Sequence, residues 1–225
     1  GSSSSFTVGM LNSLYALKGK IISKNDLAKQ AIHVERDILK ENVGSQDQVA
    51  VAYGGFNKII FHNDHNFKIE AMTLPKARIN QLQENLILLY TGISRFASDV
   101  ASEQIKSTKK HKSELLAIRK MVDYAVDILN NGRNMNEFGN LLHESWMLKK
   151  GLSSRISNST IDQIYEVALR SGAIGGKLLG AGGGGFMLLF VPPARQKRLR
   201  SALKKVLEVK FSFETDGSKI IYFNP

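Results

Sequence analysis

Between Lys177 and Pro193 the chain reads KLLGAGGGGFMLLFVPP, and this stretch limits its fold more sharply than any other. Two apolar runs of strand character flank a segment that is almost entirely glycine. Glycine loses more backbone freedom on folding than any other residue, so fixing such a run is costly. Two uses can offset the cost: a tight hairpin whose strands pack closely, or a turn where a ligand must approach bare backbone. The run also satisfies G-x-G-x-x-G, but a dinucleotide fingerprint requires a helix after the glycines, and here an apolar strand and two prolines follow. Nor is GGKLL a Walker loop. Leu178 replaces the serine or threonine, and Ser171 stands where the first glycine should be.

The remaining pattern alternates helical and extended blocks without regular β-α-β order, which predicts an α+β fold. Phe6, Met10, Leu11, Leu14 and Leu17 form a stripe at helical spacing, closed by Gly19. A second helix is expected from Asn25-Asp26 to near Asn42-Val43-Gly44. The period changes across SQDQVAVAYGGFNKIIF, with a short apolar run, a Gly-Gly turn and a strand; FKIEAMTL, LILLYTG, EVKFSFE and SKIIYF read as further strands. Helical spacing runs from Ser94 to about Gly172, with breaks at Asn130–Gly132 and Ser153–Ser159. Pro75 marks the expected seam, dividing the chain into residues 1–75 and 76–225.

At 225 residues and 43% hydrophobic content the chain can bury a substantial core. It has no cysteine, which excludes disulfides and thiolate metal sites and fits a reducing, cytoplasmic setting. No apolar run reaches bilayer length, so no membrane partner is expected. The formal net charge of +11 favours anionic ligands. One cluster is Lys106, Lys109, Lys110 and Lys112; the other, Arg195 to Lys205, lies on a segment where Leu199, Leu203, Val206 and Leu207 mark a buried face, and reads as a solvated helix face. With no aromatic residues interleaved, nucleic acid is not the expected partner. The five histidines show no convincing metal-ligand spacing and are read as solvated.

The opening GSSSSF leads directly into the first helix, so the serines stand at a helix N-terminus, where backbone N–H groups can hold an anion. From position alone this is equally the scar of an expression tag. Glu35 and Asp47 are candidate reaction-centre carboxylates, one able to ligate Mg2+ and the other to take a hydroxyl proton. Taken singly, each reads as well as a surface charge or cap.

Together these pieces resemble the GHMP kinases. GSSSSF is similar to the tail of their P-x-G-L-G-S-S-A phosphate loop, Glu35 and Asp47 in E-x11-D resemble their magnesium ligand and catalytic aspartate, and KLLGAGGGGFMLLF resembles their third motif. QDQVAVAYGGFNKIIF, LILLYTGISRFASDV, FGNLLHESWMLKKGLS and GAIGGKLLGAGGGGF resemble, more narrowly, the branch acting on heptose 7-phosphates. The resemblance implies a ribosomal protein S5 domain 2-like N-terminal domain, of which residues 1–75 are the remaining part, and a ferredoxin-like C-terminal domain. It also implies that the family's first motif and early strands should precede Gly1.

The implied activity is transfer of the γ-phosphate of ATP, with Mg2+, to the anomeric hydroxyl of a heptose 7-phosphate, a small-molecule sugar phosphate. Gly1, Ser2, Ser3, Ser4, Ser5, Gly180, Gly182 and Gly183 would face the nucleotide phosphates. Ser3 and Glu35 would ligate the metal, and Asp47 would act on the sugar hydroxyl. Tyr53, Gly54, Gly55 and Asn57 would contact the sugar, and Arg95, Lys149 and Lys150 are candidates for its own phosphate. Rival readings are a galactokinase- or fucokinase-like sugar-1-kinase, a sugar- or nucleotide-binding protein without catalysis, and an RNA-binding module.

Overall fold

The computed structural model describes residues 1–62, 66–94 and 108–224. The chain divides into two compact units, Gly1–Met72 with Phe213–Pro225, and Thr73–Ser212. The first unit thus reclaims the last segment of the chain, beyond the single seam expected near Pro75.

In the first unit, α1 (Ser2–Leu17), α2 (Lys24–His33) and α3 (Gln46–Tyr53) pack on a hairpin of β1 (Asn57–Phe61) and β2 (Phe67–Ala71). Val8, Leu27, Ala28, Ala31, Val49 and Ala52 form the core. The alanines let the helices approach closely. Ser23 caps α2, its hydroxyl accepting from Asp26 N at 3.1 Å. A π-helical turn, Val34–Ile38, then inserts an extra residue and carries Glu35. The run VAVAY is helical, so the expected change of period comes only at Gly54, which ends α3 at φ 65° and ψ −175°. The phase of α1 also differs from expectation. Its buried residues are Ser4, Thr7 and Val8, whereas Phe6, Met10, Leu14 and Leu17 are exposed. Spacing sets the helix, but the face buried is set by what α2 and α3 offer.

The second unit holds an antiparallel sheet of order β4-β5-β3-β6, from β3 (Leu86–Tyr90), β4 (Gly175–Leu178), β5 (Phe186–Phe190) and β6 (Leu207–Val209). Its helices are α4 (Lys76–Glu84), α5 (Lys112–Asn130), α6 (Asn136–Gly151), α7 (Ser159–Arg170) and α8 (Pro193–Ala202). Trp146, Ile161, Tyr165, Leu178, Met187, Leu189 and Leu199 anchor its core. The breaks expected near Asn130–Gly132 and Ser153–Ser159 separate these helices. Of the late strands expected, only Leu207–Val209 pairs, and SKIIYF forms no strand. The basic helix α8 buries Leu199, and Arg200 makes a forked pair with Glu208 at 2.8 Å through each nitrogen. His143 departs from the solvated reading. It is part-buried, stacked on Tyr165, with Nδ1 2.7 Å from the phenol oxygen.

Packing of α6 on β4 depends on bare backbone. A Cβ at Gly175 would lie 2.0 Å from Gly139 O, and one at Gly139 would lie 2.7 Å from the Phe190 ring.

Candidate functional site

The head of α1 gathers the chemistry of the first unit. Ser4 is buried, and its hydroxyl donates to Glu35 Oε2 at 2.9 Å. The Gln48 side-chain amide donates to the same oxygen. Glu35 is 3% exposed, yet its Oε1 has no partner, and neither has Gln48 Oε1. A buried carboxylate oxygen left unbonded is expensive unless something absent from the protein itself meets it. Ser3 lies about 100° earlier around the helix. It is exposed, and Ser4 is the serine that reaches Glu35. Helical phase thus puts the Ser4 hydroxyl, and not that of Ser3, against Glu35.

Asp47, in the first turn of α3, lies against the same helix head. Its Oδ2 is 3.3 Å from Gly1 N, and a Cβ at Gly1 would come within 3.0 Å of it. The carboxylate is 47% exposed, so it is both accessible and held at the serine turn. Ser2 and Ser5 are exposed there as well, with the Ser5 hydroxyl donating to Gly1 O at 2.9 Å.

Beside this turn opens a cleft of about 540 Å³ lined by Ser5, Gly54, Gly55, Asp216, Ser218 and Lys219, among others. Its far wall is the returning segment, fixed by Ser218 N donating to Val51 O at 2.8 Å and by Asn12 Nδ2 donating to Ser218 Oγ at 3.0 Å. Lys219 pairs with Asp216. Tyr53 packs edge-on to Phe67, and Lys24 Nζ donates to its carbonyl at 2.8 Å. Asn57 Nδ2 donates to Gly54 O at 2.6 Å and so braces the turn. Sequence reasoning missed the 214–219 wall. Its one local sign was Asp216-Gly217, a turn pair between two stretches read as strands.

Gly180, Gly182 and Gly183 belong to the second unit. The glycine turn is pinned by Gly183 N to Ile156 O at 2.8 Å, Gly185 N to Ile93 O at 2.9 Å, and the Thr91 hydroxyl to Gly185 O at 2.8 Å. Gly182, at φ 128°, would place a Cβ 2.8 Å from Ile156 Cα. Of the candidate cations, Lys150 is already engaged: Asp162 Oδ1 lies 2.5 Å away and also accepts from the Ser157 hydroxyl at 2.7 Å. That clasp joins the end of α6 to the start of α7, which removes Lys150 from the free cations. Arg95 lies outside the described residues. Lys149 Nζ donates to Gly180 O at 2.5 Å. Burial, and secondarily the Lys177 ammonium, bring its pKa down to about 8. Burial lowers that of Lys177 too.

This has a consequence for stability. Between about pH 8 and the ordinary lysine value of 10.5, the unfolded chain binds a proton at Lys149 that the folded chain does not, so stability rises with pH across that window. Urea denaturation stepped from pH 8 to 10 should show this rise, and Lys149→Met should flatten it; an unchanged slope in the variant would remove the burial argument.

Among the described residues no helix is long and apolar enough to cross a membrane, and no group of three or more His, Cys, Asp or Glu is placed to hold a metal. A hard cation shared with phosphate oxygens needs only one or two carboxylates. The orphaned Glu35 oxygen beside a serine hydroxyl fits that requirement.

Residues 1–55 match the family model described as GHMP kinases N terminal domain, and residues 115–209 match GHMP kinases C terminal. The chain is 32% identical to D-glycero-alpha-D-manno-heptose 7-phosphate kinase of Campylobacter jejuni, over 97% of this chain and 66% of that protein. It is 27% identical to a galactokinase of Pyrococcus furiosus, over 95% of this chain and 66% of that one. Among solved structures, a putative sugar kinase from Campylobacter jejuni superposes with a TM-score of 0.68 at 28% identity, covering 96% of this chain and 63% of that one. The chain thus spans about two thirds of the length of these relatives.

Proposed function

The chain belongs to the GHMP kinases, and from that premise we propose that it serves an ATP-dependent sugar kinase that phosphorylates the anomeric hydroxyl of a heptose 7-phosphate. One observation carries the reading: two carboxylates from separate elements, Glu35 and Asp47, converge on the serine-rich head of α1 beside an open polar cleft. In this role the N–H groups and hydroxyls of residues 2–5 hold the nucleotide phosphates, aided by the positive end of the helix. Glu35 Oε1 and Ser4 Oγ would hold Mg2+, which when bound neutralises charge on those phosphates.

Asp47 takes the proton of the attacking sugar hydroxyl. The oxygen then forms its bond to the γ-phosphorus as the bond to the β-phosphate oxygen breaks and ADP departs. The cleft from Ser5 to Gly55 and Lys219 holds the sugar, where bare glycine backbone and hydroxyl-bearing walls suit a polyhydroxylated ligand. Identity to the Campylobacter jejuni heptose 7-phosphate kinase favours a phosphorylated sugar over galactose or fucose.

The decisive test gives the full-length protein magnesium-ATP and a panel of sugars and sugar phosphates, with the product position resolved by phosphorus NMR. A heptose 7-phosphate should exceed unphosphorylated galactose and fucose in kcat/KM by roughly a hundredfold, since a site built for a charged group is left unpaired without it. Highest efficiency with an unphosphorylated sugar would transfer the assignment to the galactokinase-like reading.

A further inference from the structure

Three buried side-chain polar atoms lack a hydrogen-bond partner among the described residues, and two of them, Glu35 Oε1 and Gln48 Oε1, belong to one bonded pair. The Ser4 hydroxyl, at 2.9 Å, and the Gln48 amide nitrogen both donate to the other Glu35 oxygen, Oε2. Glu35 is 3% exposed and Gln48 fully buried, so bulk water reaches neither orphan. A planar amide or carboxylate holds its two polar atoms about 2.2 Å apart, so the two orphaned oxygens cannot stand more than about 7 Å from each other. One hydrated cation spans that distance.

The direction of the amide is fixed by its neighbour. Turned the other way, Gln48 would set its oxygen against the Glu35 carboxylate, acceptor against acceptor. The nitrogen therefore faces Glu35, and the oxygen is the atom left over. Local backbone serves the same pair. The π-turn buries Glu35 while leaving Ile38 61% exposed, the reverse of what apolar burial alone favours. On α3, Asp47 and Gln48 are consecutive, so about 100° of helix separates an open carboxylate from a sealed amide.

We propose that Gln48 is a positioning residue of the cation site: its nitrogen turns the Glu35 carboxylate so that Oε1 stays open, and its own oxygen adds a second acceptor for the same divalent cation. That a cation belongs there rests on the kinase reading of Glu35; the part given to Gln48 follows from the paired orphans. A strut between α3 and the π-turn would need the nitrogen only. For a strut, an oxygen sealed from every donor is merely destabilising, and an apolar side chain of similar length would avoid it.

The test uses the full-length protein saturated with ADP, and Mn2+ as the probe. Two quantities are read: free Mn2+ by electron paramagnetic resonance, against a blank of ADP without protein, and the rise in Tm that Mn2+ adds. Gln48→Met, close in volume and without an amide oxygen, should weaken Mn2+ binding by roughly tenfold to a hundredfold, as loss of a residue supporting a metal ligand does. Gln48→Glu should enlarge the Mn2+-induced rise in Tm beyond the native value, because a further negative ligand tightens a hard-cation site. A strut predicts the opposite for that variant, since a carboxylate there cannot donate to Glu35 and would weaken Mn2+ binding as Gln48→Met does.

Should Gln48→Met fail to fold, Gln48→Glu alone decides. Mn2+ binding within twofold of native in folded Gln48→Met, or a smaller Tm rise in Gln48→Glu, overturns the proposal, as does a native protein that takes up no Mn2+. Failure of the kinase reading looks different. It appears as no turnover with any sugar, while the two variants still depart from the native protein in opposite directions in Mn2+ binding.

Discussion

Asp47→Asn should lower kcat by about a hundredfold to ten-thousandfold, the range spanned by a positioned general base. Nucleotide affinity should change little, because the carboxylate touches the head of α1 at Gly1, while the Ser4 and Ser5 hydroxyls bond to Glu35 and Gly1 O instead. Folding should survive, since Asp47 is 47% exposed and surface substitutions of this kind usually shift stability by about 0.5 kcal/mol or less. The amide keeps the shape of the carboxylate and removes its capacity to accept a proton, so the loss belongs to the chemical step. Steady-state kinetics on the full-length protein, with nucleotide affinity measured by calorimetry, separates the two effects. Turnover within threefold of the native value would withdraw Asp47 from the reaction. An equal loss of nucleotide binding would recast it as part of the phosphate cradle.

The second large effect is structural. Gly54 sits at φ 65° and ψ −175°, a region reached almost only by glycine, and a Cβ there would lie 2.0 Å from Gly217 N and 2.1 Å from Asp216 C. Those are backbone atoms and cannot rotate away. Gly54→Ala should therefore cost about 3 kcal/mol or more, combining an unfavourable backbone conformation with overpacking.

The neighbour supplies the control. Gly55 also has positive φ, 74°, but its nearest contact would be Thr215 O at 3.6 Å, so Gly55→Ala should cost only about 1–2 kcal/mol. Urea denaturation gives the two values, and limited proteolysis near residues 213–219 reports whether the cleft wall has lifted. Equal stability of the two variants would show that the segment yields to a methyl group and that the wall is not held by this contact.

Much of the architecture was legible in the order of residues because it depends on neighbours along the chain. A glycine run between two apolar runs became a strand-turn-strand unit, as the lack of a following helix required. The serines opened a helix, and the breaks near residues 131 and 155 fell between helices. Glu35 and Asp47, singled out by their frame, proved to address one helix head.

What could not be read locally was decided by partners distant in the chain. The exposed stripe of α1 and its buried Ser4 reflect what α2 and α3 pack against it, which periodicity does not contain. Ser4 replaced Ser3 beside Glu35 because one residue turns the side chain by about 100°. Lys150 was indistinguishable from Lys149 until Asp162 appeared opposite one of them.

Sequence alone therefore determined the local elements and the kinds of chemical group present, since spacing and backbone preference act over a few residues. Tertiary structure alone decided which of those groups are free, buried or paired. Contacts such as Asn12 with Ser218 and Gly54 with Gly217 join positions whose separation leaves no trace in local pattern.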